Sequence, residues 1–322
     1  MDSKEDRTPA IKAFWNKFSE SYEGTQERPS MQAATVLYNF CLPRKAPGSF
    51  KSRSPTKILE VGVGPGKASR MYISAFLEPG SLYFNADIAQ DMIELYTKRF
   101  EESDLAFSPR IKLDNLEIID KVDIDDLIRK GSENKIGEQV TKRIFTLVTN
   151  SEMLPFEDSC LDCYIANLSV QIVNDHKKMI SEAYRVLEEG GVAGISSWGR
   201  RENTQYFDSW PKFLKEQGVE LPESKHSNFD RGDKEIFEKD LKEAGFKHVK
   251  LFYTPNNKPY FDAETTFGYL SSRPDSRPYL NKLSEERNEE IKSAFIQEFN
   301  EKFGPETPDP LTFEVLIAIA WK

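Results

Sequence analysis

The sequence predicts an α/β fold: a doubly wound, mostly parallel, seven-stranded sheet. Two observations carry this. Apolar, β-prone runs alternate with helical patterns from Lys57 to about residue 199, and such alternation folds as a parallel sheet with helices on both faces. The first run, Lys57-Ile-Leu-Glu-Val-Gly-Val-Gly-Pro-Gly-Lys67, also breaks after Glu60 into a loop carrying Gly62, Gly64 and Gly66. A strand that enters a glycine loop before a helix lets the backbone approach a ligand closely, because no Cβ intervenes. In a parallel sheet that turn lies at the carboxyl edge, where nucleotide-like cofactors bind.

The elements follow in order. Residues 1–10 read as a disordered tail and 11–55 as a helical cap with a linker. Phe14, Trp15, Phe18 and Tyr22 share one helix face, and Pro43 to Pro55 is rich in Pro, Ser, Lys and Gly. The core spans 56–200. It opens with a strand at Lys57–Val63, a helix at Lys67–Phe76 closed by Pro79-Gly80, a strand at Leu82–Ile88 and a helix at Gln90–Phe100. Residues 102–142 break the rhythm with Pro109 and the run Ile118-Ile119-Asp120-Lys121-Val122-Asp123. They read as a charged insertion with one helix near Asp123–Arg129.

Strands are expected at Ile144–Thr149 and Cys163–Leu168. Asn174 or Asp175 then caps a helix whose apolar face is Met179, Ile180, Ala183, Val186 and Leu187. Gly190-Gly191 supplies the positive φ that a helix C-terminus commonly uses, ahead of a strand at Val192–Trp198. Residues 201–322 complete the sheet. They hold a helix at Lys234–Ala244 stopped by Gly245, a strand at Val249–Tyr253 and a helix at Thr265–Leu270. A long helix through Ile291, Phe295, Phe299 and Phe303 follows, and after Pro310 a last strand at Thr312–Trp321.

Composition narrows the function. With 322 residues, 38% hydrophobic and 12% aromatic, the chain can bury a sizeable core. A formal charge of −9, with no basic run, is a poor footprint for gripping nucleic acid phosphates. The low, odd cysteine count and the acidic start fit a reducing, cytoplasmic setting, and no apolar run is long enough to span a bilayer. Cys160-Leu-Asp-Cys163 lacks the second ligand pair that zinc requires. It also leads into a strand rather than the helix of a redox motif, so Cys163 reads as core and no metal site is expected.

The glycine loop discriminates among ligands. A dinucleotide fingerprint places its third glycine where this chain has Lys67, and the P-loop pattern is absent. Asp87, closing the second strand, suits two hydrogen bonds from a ribose diol and equally suits capping the helix that follows.

With its acidic residue and alternating glycines, this loop resembles the first motif of the class I S-adenosylmethionine-dependent methyltransferases. Thr149-Asn-Ser-Glu-Met-Leu-Pro-Phe156, Asp162-Cys-Tyr-Ile-Ala-Asn167 and Tyr184-Arg-Val-Leu-Glu-Glu-Gly-Gly191 resemble the later motifs in order. Ser196-Ser-Trp-Gly-Arg200 and Pro310-Leu-Thr-Phe-Glu-Val-Leu316 are similar to small-molecule members.

The resemblance implies a Rossmann-like sheet with the last strand antiparallel, S-adenosyl-L-methionine as cofactor, and a small-molecule acceptor methylated directly. It implies cofactor contacts at Glu60, Gly62, Gly64, Gly66, Asp87, Ile88, Met92, Asn150, Ser151 and Asn167. Asn150 lies near the adenine amine, where many members carry Asp; an Asx-turn is the alternative for this residue. Trp15 and Tyr22 belong to a helix that resembles a cap over the cofactor. A monomer or homodimer is expected.

The residues name no base. Gln171 and Tyr22 are the catalytic candidates, Gln171 as an orienting amide because amides do not titrate. His176 reads as solvated at the start of a helix, and neither His226 nor His248 suggests chemistry. Trp198, Phe252, Tyr253, Tyr260 and Phe267 are candidates for an acceptor pocket wall or for core. Two other readings are a non-catalytic module of the same fold and a nicotinamide dehydrogenase, which Lys67 disfavours.

Overall fold

The computed structural model describes residues 6–22, 27–41, 56–77, 80–102, 117–118, 123, 143–222, 228–257, 262–303 and 312–322. Two helices, α1 (Thr8–Tyr22) and α2 (Arg28–Cys41), precede the sheet. Then come β1 (Lys57–Val61), α3 (Lys67–Phe76), β2 (Leu82–Asp87) and α4 (Gln90–Glu102). Next are β3 (Glu117–Ile118), β4 (Arg143–Val148), β5 (Leu161–Ala166), α5 (His176–Val186) and β6 (Leu187–Trp198). The chain ends with α6 (Gln205–Glu216), α7 (Lys234–Glu243), β7 (His248–Asn257), α8 (Ala263–Ser271), α9 (Arg277–Leu280), α10 (Glu285–Phe303) and β8 (Thr312–Trp321).

The strands lie in the order β3-β4-β2-β1-β5-β6-β8-β7. All pairs from β3 to β6 are parallel, and β8 runs antiparallel between β6 and β7. Seven full strands therefore build the expected sheet with its last strand reversed, and the two-residue β3 extends one edge. The chain moves outward from β1 in both directions, through β2 on one side and β5 on the other. That makes the carboxyl ends of these strands the crevice of the fold.

Side chains alternate across the sheet. Leu59 and Val61 join Met179, Ile180 and Ala183 of α5 and Phe237 of α7 in one core. Ile58 faces the other way, among Ala34 and Leu37 of α2, Ile73 of α3 and Tyr96 of α4. A third core lies among the C-terminal helices, where Trp210 of α6 meets Phe295 of α10 edge-on at 5.6 Å.

Of the two expected caps of α5, Asp175 serves, accepting from the N–H groups of Lys177 and Lys178. Two local expectations are corrected. Residues 8–10 are helical, and the Arg7 N–H donates to Asn174 Oδ1 at 3.0 Å, which ties the start of α1 to the loop after β5. Gly190-Gly191 does not end α5. The helix stops at Val186 and Leu187 is already extended, so the positive φ of Gly190 (84°) serves an irregularity inside β6. α2 was not expected as a separate element. The predicted linker at 43–55 and nearly all of the 102–142 insertion lie outside the described residues, as do His226 and Tyr260.

Candidate functional site

The site grows from the end of β1. After Val61 the chain turns through Gly62, Gly64 and Gly66, all with positive φ of 55–70°. The Val63 N–H donates to Ala86 O at 3.1 Å, which stitches the loop to the end of β2. Gly66 is the N-cap of α3, and a Cβ there would lie 2.0 Å from the Tyr96 ring. Gly64 has more room, its nearest neighbour being the Tyr22 ring at 3.9 Å.

Asp87 closes β2 and is 8% exposed. Its Oδ2 accepts the Gly64 N–H at 2.9 Å and its Oδ1 the Ala89 N–H at 2.9 Å. Burial pushes this carboxyl above the usual carboxylate range, and the Ala89 and Gly64 amides pull it back. Asp87 is not the N-cap of α4, which starts at Gln90; its carboxylate instead braces the turn at Ala89 ahead of that helix and locks the glycine loop. Each oxygen keeps a lone pair for a ribose hydroxyl. Ile88 is half-buried beside it, and Met92 is buried in α4. Beyond β4, Asn150 Oδ1 accepts the Glu152 N–H at 3.0 Å. This is the Asx-turn, and it leaves the amide oxygen a second lone pair; Ser151 is half-buried next to it.

The N-terminal helices cover this edge. Tyr22, Glu27, Ser30 and Met31 face Glu60, Gly62, Gly66, Lys67 and Asn167 across a cleft of about 360 Å³, open solvent included. The Tyr22 hydroxyl reaches Ser30 Oγ at 3.3 Å, and burial pushes the phenol up to about 12. Glu27 is 3% exposed and pairs with Arg99 at 2.8 Å and Lys67 at 3.7 Å. Glu60, also 3% exposed, accepts from the hydroxyls of Tyr38 and Tyr83. Nothing local in the sequence marks Glu27, Ser30, Tyr38 or Tyr83, because their partners are distant in the chain.

The loop after β5 forms the other wall. Asn167 Nδ2 donates to Ser30 O at 3.0 Å, and its Oδ1 accepts from Ser196 Oγ at 2.8 Å. Asn167 is thus a brace between β5, β6 and α2. Leu168 takes a φ of 49°, a left-handed conformation that costs a non-glycine residue about 1–2 kcal/mol. It turns Ser169 against Gly62, where a glycine Cβ would meet Ser169 Cβ at 2.8 Å. Gln171 Nε2 donates to Leu168 O at 2.8 Å. Gln171 Oε1 and Ser169 Oγ are buried without a hydrogen-bond partner.

Other candidates separate. Phe252 and Tyr253 are adjacent on β7 and point to opposite faces. Phe252 packs on Phe40 at 5.2 Å, while Tyr253 lies under Arg200 at 4.4 Å. Phe267 belongs to the third core and Trp198 packs on Phe229. These aromatics form no common wall. His176 is not solvated but half-buried at the start of α5, with Nε2 3.3 Å from Asp240 of α7. Cys163 is core, as expected, and Cys41 is its neighbour. Among the described residues no cluster of side chains could hold a metal, and no helix is long and apolar enough to cross a membrane.

A backbone cradle, a buried carboxylate for a diol and a second carboxylate on the cleft fit S-adenosylmethionine. Comparison with known proteins agrees. The model of the ubiE/COQ5 methyltransferase family matches residues 85–255, more than half of the chain. An uncharacterized protein of Methanocaldococcus jannaschii is 33% identical over 130 residues, covering 37% of this chain and 59% of that protein. The ubiquinone/menaquinone biosynthesis C-methyltransferase UbiE of a Marinomonas species is 28% identical over 92 residues, covering 27% and 37%. The chain spans less than two thirds of the length of both relatives. Among solved structures, the Haloferax volcanii partner of the Trm112 methyltransferase activator superposes with a TM-score of 0.50 at 13% identity, covering 97% of this chain and 96% of that one. The chain belongs to the ubiE/COQ5 methyltransferase family.

Proposed function

We propose that this chain is an S-adenosylmethionine-dependent methyltransferase that methylates a small molecule with a hydroxylated aromatic ring, at carbon, within the crevice between the glycine loop and the loop after β5. The bound cofactor supplies an activated methyl group on a sulfonium. Asp87 would hold the ribose, Asn150 and Ser151 the adenine with Ile88 and Met92 alongside, and Glu60 with the Gly62–Gly66 backbone the methionine end. Tyr22 and α2 would exclude water.

The observation that carries the acceptor class is the pair of buried, unpartnered polar atoms, Ser169 Oγ and Gln171 Oε1, in a stretch from Asn167 to Asn174 that holds no titratable side chain. The Leu168 carbonyl requires a donor, so Nε2 of Gln171 must face it and Oε1 is the free end. That oxygen suits an acceptor O–H. The Tyr22 phenol, at about 12, stays protonated at neutral pH and does not serve as a base. Alignment therefore does most of the work, and orientation alone supplies about 7–11 kcal/mol in favourable cases. An electron-rich phenolic ring carbon is a nucleophile that alignment can serve: it would bond to the methyl as the sulfonium C–S bond breaks, and the ring proton it sheds to restore aromaticity would pass to solvent. The name of the Marinomonas relative supports carbon as the methylated atom.

The test is methyl transfer from isotope-labelled S-adenosylmethionine to a panel of hydroquinones, amines and thiols, with products located by mass spectrometry. Ring-methylated hydroquinone is the expected product. Transfer confined to amines or thiols would contradict the reading.

A further inference from the structure

We propose that Tyr38 and Tyr83 are cofactor-positioning residues, whose hydroxyls hold the Glu60 carboxylate for the α-ammonium of the cofactor's methionine end. The inference rests on the cofactor placement above and makes α2 part of the cofactor site.

Strand alternation sends Glu60 into the core face of α2, α3 and α4, where a carboxylate is costly unless hydrogen-bonded. Tyr38, from α2, spans both oxygens at 3.0 and 3.1 Å, and Tyr83, from β2, reaches Oε2 at 2.5 Å. The Tyr72 ring, from α3, packs on both phenols, at 5.0 Å and 6.1 Å. Two neutral donors orient the carboxylate but leave its charge uncompensated. Among the described residues Glu60 makes no ion pair. The other buried carboxylate on the cleft, Glu27, already faces Arg99 and Lys67. Glu60 is therefore the cleft carboxylate poised for a ligand's cation.

The groups that face Glu60 are Tyr38 from α2, Tyr83 from β2, Tyr96 from α4 and Cys163 from β5, the last a free thiol beside the free thiol of Cys41 of α2. Lys67 and Glu27 lie across the cleft. Burial pushes the Glu60 carboxyl up to about 7, and the Tyr83 and Tyr38 hydroxyls pull it back. An ammonium binds the ionised form, so affinity should be full above pH 7 and fall as the pH drops below it.

The test is calorimetric titration of the full chain with S-adenosylhomocysteine between pH 6 and pH 8, using wild type, Tyr38→Phe, Tyr83→Phe and Glu60→Gln. 5′-Methylthioadenosine, which lacks the amino-acid end, is the second probe. For wild type the expected result is about tenfold weaker S-adenosylhomocysteine binding at pH 6 than at pH 8. Each tyrosine variant should move that profile upward by about one pH unit. Glu60→Gln should bind weakly with no pH dependence, and methylthioadenosine should bind all four proteins alike at every pH.

A wild-type profile in the tyrosine variants would overturn the proposal, as would the same pH dependence with methylthioadenosine. Failure of wild type to bind either nucleoside would instead refute the underlying placement. If Tyr83→Phe does not fold, Tyr38→Phe carries the test, with its unfolding midpoint as the control.

Discussion

Replacing Glu60 by Gln should change the pH dependence of stability by an amount set by the burial of this side chain. Its carboxyl is 3% exposed and titrates at about 7 rather than the usual 4.5. A carboxyl raised on folding contributes stability that is fully present below the unfolded value, near 4.5, and is lost as the pH rises through 7. Between pH 5 and pH 8 that loss amounts to about 2.5 kcal/mol. Gln carries no charge at either pH and accepts the same two tyrosine hydroxyls through its carbonyl. Its amide hydrogens lack an acceptor, which costs about 1–3 kcal/mol at every pH. The absolute stability of the variant mixes both effects, but the pH-dependent part isolates the carboxylate. Urea unfolding of both proteins without ligand at pH 5 and pH 8 measures it. Relative to wild type, Glu60→Gln should gain about 2.5 kcal/mol from pH 5 to pH 8. A stability difference that stays constant across this range would refute the claim that Glu60 is a costly, ionisable buried group.

Two other perturbations separate binding from folding. Asp87→Asn keeps the shape but loses the charge that serves Gly64, Ala89 and the expected ribose, so S-adenosylhomocysteine affinity should fall about a hundredfold, or about 3 kcal/mol; unchanged calorimetric affinity would contradict the ribose assignment. Gly66→Ala should lower the urea midpoint more than Gly64→Ala, because its Cβ would lie 2.0 Å from the Tyr96 ring whereas that of Gly64 clears Tyr22 by 3.9 Å; equal losses would show that backbone strain alone decides.

What the sequence made legible follows physical range. α3 and β8 fall on their expected bounds, because a glycine turn opens one and an apolar run beyond Pro310 forms the other. The meeting of the Gly62–Gly66 loop with Asp87 at the carboxyl edge was legible for the same reason: both are local signals joined by a known topology. Gly190-Gly191 was misread because positive φ serves a helix end and a strand irregularity alike, and only pairing with β5 distinguishes them. α2 was missed because its buried stripe relies on Ala33, Ala34, Tyr38 and Cys41, a weak apolar pattern whose purpose appears only when Tyr38 meets Glu60. The proposed pocket aromatics scattered because Phe252 and Tyr253 are neighbours on a strand and must face opposite ways.

The most direct test of the cofactor assignment is a crystal structure with S-adenosylhomocysteine bound. The ribose hydroxyls should rest on Asp87, the methionine backbone on the Gly62–Gly66 loop with its ammonium at Glu60, and the sulfur should face the Asn167–Gln171 loop. A nucleoside bound away from the carboxyl ends of β1 and β2, or a ribose that does not touch Asp87, would contradict it.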